Sequence, residues 1–337
     1  MSEFRIDQIK SQDATRGPDV AGITTFTGTS GIVIPSGDTA YRGGRGRGVW
    51  TGGYVAPSGN NDRLEYVTIS TTGDATDFGN LTSSRHGVGS SGNSTKSILA
   101  GGSGAVNTID YIHISSTGNS FDFGDLTQAR RFAAACNNTT RSVFVGGDEP
   151  SAQKTIDYVT IANNGNAQDF GELLNDTSSG SGAAQSPTRA VYGGGDGDST
   201  LKMQYITQAT LGNSKLFGDL TVSRRGSARL SNATRGLFGG GNPGAPSAID
   251  TIDYITISSL GDAIDFGDCT VTRWLSAGVA SATRGIFGGG YFPSPAATRD
   301  TLDYVTIAST GNATDFGNLT AANRSVGAVA DTNGGIG

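Results

Sequence analysis

The sequence predicts an all-β fold: a closed six-bladed β-propeller over residues 47–337, preceded by an extended N-terminal arm over residues 1–46. Three observations carry this. One unit recurs six times, with its Phe-Gly pairs starting at Phe78, Phe123, Phe170, Phe217, Phe266 and Phe316, spaced 45 to 50 residues apart. Each unit holds four short β-branched or aromatic runs punctuated by glycine, as a propeller blade does. Finally, the last unit leaves over the one strand that the first unit lacks.

The strands follow in order. The first is small and apolar and comes after an arginine, as in Arg130-Arg-Phe-Ala-Ala-Ala-Cys136. The second is a run such as Arg284-Gly-Ile-Phe-Gly-Gly-Gly290, opened by a cation in every unit: Arg47, Lys96, Arg141, Arg189, Arg235 and Arg284. The third carries a tyrosine (Tyr66, Tyr111, Tyr158, Tyr205, Tyr254, Tyr304) in an alternating pattern that only an extended strand turns into two faces. Before that tyrosine stands an acid (Glu65, Asp110, Asp157, Asp253, Asp303), with Gln204 the exception. The repeated cation and acid read as structural ion pairs. The fourth strand carries Asp-Phe-Gly, with Leu216 in place of the aspartate in unit four, where Thr177 also replaces the arginine that leads the unit.

A lone four-stranded sheet exposes both faces, so the units must stack around an axis, with Tyr and Phe between them. Closure follows from the leftover run Ser325-Val-Gly-Ala-Val-Ala330. It should pair with Arg47-Gly-Val-Trp50 and remove the open edges.

Composition restricts function. Glycine, at 53 of 337 residues, is about double its ordinary share, but it falls at fixed offsets, which excludes a disordered linker. A net charge of −6 disfavours a nucleic-acid surface or anionic membrane. Cys136 and Cys269 lie in different units without a CxxC neighbour and read as buried small hydrophobes. No apolar run reaches the roughly 18 residues of a membrane span and no secretory signal opens the chain, so it is expected to be soluble.

Chemistry is equally restricted. Two histidines, His86 and His113, are too few for a copper oxidase of the galactose oxidase kind. The Ser309-Thr-Gly-Asn-Ala-Thr-Asp-Phe316 turn lacks the tryptophan of a sialidase Asp-box, and no G-x-S-x-G, P-loop or HExxH occurs. The expectation is a non-enzymatic protein with no cofactor and no metal. Recognition is expected on the loops between second and third strands, which diverge most, with Tyr54, Tyr291 and Phe292 as candidate binding residues. Within the arm, Phe4, Ile6, Ile9 and Phe26 are the candidate anchors, and Arg42-Gly-Gly-Arg-Gly-Arg-Gly48 reads as a hinge rather than an RNA-binding element.

The order of markers resembles the kelch repeat over residues 47–337, with Phe where kelch strand four usually has Trp. Further, Phe4-Arg-Ile-Asp-Gln-Ile-Lys10, Gly17-Pro-Asp-Val-Ala-Gly-Ile23 and Ile34-Pro-Ser-Gly-Asp-Thr39 are similar to the opening of virion structural proteins from marine tailed phages, especially those infecting cyanobacteria. The resemblance implies a virion component made in the host cytoplasm and placed at the tail or a fibre. It implies other virion proteins as partners through the arm, a host surface glycan or protein as partner of the propeller, and room for homo-oligomers. A capsid or collar decoration protein and a lectin-like propeller are the alternatives. The resemblance supplies no catalytic residues.

Overall fold

The structure is a computed structural model that describes residues 46–331 except 105, 149–150, 178–181, 196–200 and 245–246. The arm residues Phe4, Ile6, Ile9 and Phe26 lie outside the described residues. Among the described residues there is no helix, and six four-stranded antiparallel sheets form the blades of a β-propeller. Blade two shows the pattern, running from the axis outward as Gly89–Gly92, Lys96–Ala100, Thr108–His113 and Phe121–Asp125.

Blade one is closed as expected. Its innermost strand is the C-terminal Gly327–Ala330, which pairs with Arg47–Thr51 in the register Gly48↔Ala330 to Thr51↔Gly327. The ring therefore joins the two ends of the repeat region through one sheet.

The core is a set of apolar clusters between neighbouring blades. One joins Val49, Leu64 and Phe78 of blade one to Leu99, Ile112 and Ile114 of blade two, all buried. The Asp-Phe-Gly motif explains how the phenylalanine gets there. In the outermost strand of blade one, Gly79 pairs with Leu64 and Asp77 with Glu65, so Phe78 is the extra residue of a bulge. The bulge turns Phe78 inward while Asp77 stays in solvent. Its carbonyl then accepts a hydrogen bond from Gly118 N of the next blade at 2.7 Å. A Cβ on Gly79 would lie 2.3 Å from the Gly118 carbonyl oxygen, and φ there is +149°. This close approach makes the glycine obligatory.

The ionic pattern differs from expectation. The acid before each tyrosine does not meet the cation that opens strand two. It meets the arginine that leads the blade, in the pairs Arg85–Asp110, Arg130–Asp157, Arg224–Asp253 and Arg273–Asp303, all essentially without solvent exposure. The strand-two cation instead lies over the tyrosine ring, as Arg284 does at 4.4 Å from Tyr304. It also reaches the next blade: Arg284 Nη1 donates to Ile69 O at 3.0 Å and Arg189 Nη1 to Ile257 O at 2.9 Å. Tyrosine and phenylalanine thus both pack between blades, but tyrosine stays half-exposed under a cation, edge-to-face on its phenylalanine.

The two units without the arginine lack the usual partner as well. Blade four has Thr177 and Gln204. Blade one has Asn323 and Glu65, whose carboxylate accepts from Thr320 N and Oγ1 at 2.7 Å each. Burial raises the Glu65 pKa above the ordinary carboxylate value, against smaller opposing effects of those hydrogen bonds and of Arg63. Removing one buried charge and keeping the other would be costly, so the positions change together.

Candidate functional site

The innermost strands line an axial cavity of about 50 Å³, with Ser90, Ser91, Asn137, Gln185, Arg229 and Ser231 as its polar wall and Ala, Val, Leu and Gly elsewhere. This is space for a few waters. Arg229 spans the wall, donating to Gly182 O and Gly193 O, and burial lowers its pKa to about 10. No carboxylate lines the cavity among the described residues, and no cluster of His, Cys, Asp or Glu able to hold a metal is present among them. The two thiols are buried, and burial raises both to about 12.

The mouth of this channel has a different character. The lead residues Arg85, Arg130, Arg224, Arg273 and Asn323 are buried, and the residue after each surfaces at the rim just before the innermost strand: His86, Arg131, Arg225, Trp274 and Arg324. Most of these make a two-way backbone bridge to the first residue after the Gly-Gly pair of the same blade, namely Arg131↔Asp148, Arg225↔Asn242, Trp274↔Tyr291 and Tyr54↔Arg324. In blade two the link is Ser103 N to His86 O at 2.8 Å. The next residues run blade to blade around the axis: Leu275 N donates to Gly226 O, Ser325 N to Leu275 O, Gly87 N to Ser325 O and Phe132 N to Gly87 O, at 2.7–2.8 Å. Holding that ring puts Phe132, Leu275 and Ser325 at φ near +55°, a strained conformation for residues with a Cβ.

On this repeated backbone the side chains vary, with His86, Trp274 and three arginines at the rim position and Tyr54, Asp148, Asn242 and Tyr291 facing them, and they form a belt of aromatic and cationic groups. Arg225 lies 5.3 Å over the Trp274 ring, whose centroid is 6.2 Å from Tyr291. Arg324 lies over both Tyr291 (4.4 Å) and Tyr54 (4.7 Å). Tyr54 meets His86 edge-on at 6.1 Å, His86 meets Phe132 at 5.6 Å, and Arg131 covers Phe132 at 5.4 Å while pairing with Asp148 at 2.8 Å. The belt therefore spans blades five, six, one, two and three. Its positive character is felt by His86: burial, then Arg131 and Arg324, lower its pKa to about 4, with Asp148 opposing. The neutral ring with its proton on Nδ1 donates to Asn60 Oδ1 at 2.7 Å.

Of the expected binding residues, Tyr54 and Tyr291 are brought together, bridged by Arg324. Each opens a small hairpin, Tyr54–Val55 with Gly59–Asn60 and Tyr291–Pro293 with Ala296–Thr298. Phe292 stands beside the belt, under Arg299 at 5.6 Å. Sequence reasoning looked only at the strand two to strand three loops and missed Trp274, Arg324, His86, Arg225, Arg131 and Phe132. The signal was in the repeat alignment, where the position after the lead residue reads His, Arg, Ser, Arg, Trp and Arg.

No model of a known protein family matches the chain, and no curated protein matches it.

Proposed function

We propose that the chain is a non-enzymatic virion structural protein, in which the N-terminal arm anchors to the particle and a kelch-like propeller presents its aromatic and cationic mouth to a host surface or a neighbouring virion protein. The observation that carries the binding role is the belt of aromatic and cationic side chains at the mouth, where His86 and Trp274 stand at a position that other blades fill with arginine, and Tyr54 and Tyr291 at one filled elsewhere by Ser103, Asp148 and Asn242. A scaffold needs the same residue in every blade, whereas recognition needs different ones in fixed places. The half-buried aromatics and arginines there are the residue types that dominate binding surfaces. The virion assignment rests on the similarity of the arm, in residues 4–10, 17–23 and 34–39, to phage virion proteins. A lectin-like activity is compatible with the same belt, and a hydrolase acting inside the channel would need a carboxylate pair, which the described residues lining the cavity do not supply.

The test is immunogold electron microscopy of intact particles with antibody to the propeller. Label at tail tips or fibres supports host attachment. Label on the head or collar assigns decoration instead and removes the host-binding claim. Deleting residues 1–46 should give a folded propeller that no longer enters particles; incorporation of the truncated chain would refute the anchoring role of the arm.

A further inference from the structure

We infer that the mouth binds an acidic glycan, with Arg324 holding the carboxylate of a sugar residue between Tyr54, Tyr291 and Trp274. The inference deepens the host-facing reading above and rests on it.

Arg324 is the centre of the argument. It is half-buried, its charge lies against two tyrosine rings, and among the described residues neither a carboxylate nor a hydrogen-bond acceptor engages its guanidinium. Every blade-lead arginine, one residue earlier in the repeat, is by contrast fully buried and matched to an aspartate. A guanidinium presents N–H donors in a fixed fork that suits a carboxylate, and stacking on rings fixes the fork beforehand. The chain as a whole carries a net charge of −6, so an arginine without an acid at this mouth stands against the general trend.

The neighbouring groups favour a sugar over an acidic protein segment. Guanidinium groups lie against aromatic rings along the belt, Arg225 with Trp274, Arg324 with Tyr291 and Tyr54, and Arg131 with Phe132. An acidic polysaccharide likewise presents carboxylates beside pyranose rings, and aromatic faces suit the apolar face of a pyranose. The fully buried core of a protein interface adds large apolar side chains to such aromatic and arginine anchors. The most exposed of these here, Phe121, Leu211, Leu216, Leu260 and Ile264, all lie on outermost strands or on the turns that precede them, away from the mouth.

The full-length protein is titrated at roughly 0.15 M salt, where long-range charge effects are screened, against immobilised oligosaccharides carrying galacturonate, glucuronate or sialic acid. Their methyl esters, a neutral galactan and dextran sulfate serve as comparisons. Binding to at least one carboxylated glycan is expected, with loss on esterification. Arg324→Gln should weaken it about ten- to a hundredfold, the size of one lost charge-assisted contact, at an unchanged melting temperature. Arg324→Lys should fall between, because it keeps the charge and loses the fork.

Equal binding of the esters or of galactan, binding of dextran sulfate alone, or full affinity in Arg324→Gln would each overturn the inference. So would failure to bind any glycan, and adsorption of labelled protein to host cells then separates the two readings. Adsorption retained would keep the host-facing role with another partner, and adsorption absent would remove both.

Discussion

The buried Arg–Asp pairs allow a sharp test, because blade four already contains the alternative. In blade two, Arg85 Nη2 lies 2.8 Å from Asp110 Oδ2, with 1% and 0% of the side chains exposed. Asp110 also accepts from Thr82 Oγ1 at 2.8 Å and from Ser120 Oγ at 3.1 Å. Blade four has Thr177 and Gln204 at these two positions, and Gln204 Oε1 accepts from Ser214 Oγ at 2.8 Å, the counterpart of Ser120. Asp110→Gln alone leaves a guanidinium buried without its anion. Burial already pulls the Arg85 pKa down, and Asp110 is what opposes it. Breaking one side of such a pair costs about 3–5 kcal/mol, on the order of 10 °C in melting temperature for a domain of this size. Arg85→Thr strands the aspartate and should cost a similar amount. The double variant R85T/D110Q rebuilds the blade-four arrangement and should return to within about 1 kcal/mol of the parent, since the coupling cancels the two losses. Melting and urea midpoints of all four proteins measure this cycle. If the double variant loses the sum of the single losses, the pair is not coupled and the account of why both positions change together is wrong.

Three further outcomes follow from the geometry. Glu65 has its pKa raised by burial, so the folded state holds that proton more tightly than the unfolded chain does. Its stabilising contribution is then complete below the unfolded carboxylate value and is lost as pH rises through the folded value. Glu65→Gln should therefore raise the melting temperature relative to the parent at pH 8 and lose that advantage towards pH 4; a difference independent of pH contradicts it. Gly79→Ala places a Cβ 2.3 Å from the Gly118 carbonyl oxygen and should cost at least about 2 kcal/mol, read from a urea midpoint, by forcing blades one and two apart. Cys136 and Cys269, buried and raised to about 12, should resist a thiol reagent in the native protein and react only on unfolding, and rapid labelling of either would show their blades opening.

Much of the fold was legible because repetition averages over local ambiguity. A run such as Asp303-Tyr-Val-Thr-Ile307 is a weak strand signal alone, but six equivalent runs at one spacing leave few architectures. The leftover strand gave closure for the same reason. What the sequence did not reveal was which repeated groups touch. The strand-two cation and the strand-three acid are both periodic, and periodicity alone cannot pair them. Position across the ladder decides: Asp110 pairs in register with Leu99, and Tyr111 with Ile98, so the tyrosine takes the face towards Lys96 and the acid faces the lead arginine, Arg85. The role of Asp-Phe-Gly was hidden too, because the bulge breaks the strict alternation that a strand reading assumes.

The mouth was half legible for a related reason. Tyr54 and Tyr291 stood out as aromatics in divergent loops, whereas Arg324 and Trp274 follow a lead residue and read as part of the framework. The ring of hydrogen bonds that strains Phe132, Leu275 and Ser325 is what makes the framework and the recognition surface adjacent. It fixes the backbone before and after each rim residue, so that a single side chain can change in each blade without moving its neighbours. A propeller that varies there keeps all six inter-blade clusters intact, and this separates stability from specificity within one repeat. Substitution at Arg324 and substitution at Arg273 or Arg85 should accordingly have opposite consequences, the first altering what is bound and the others whether the blade holds together.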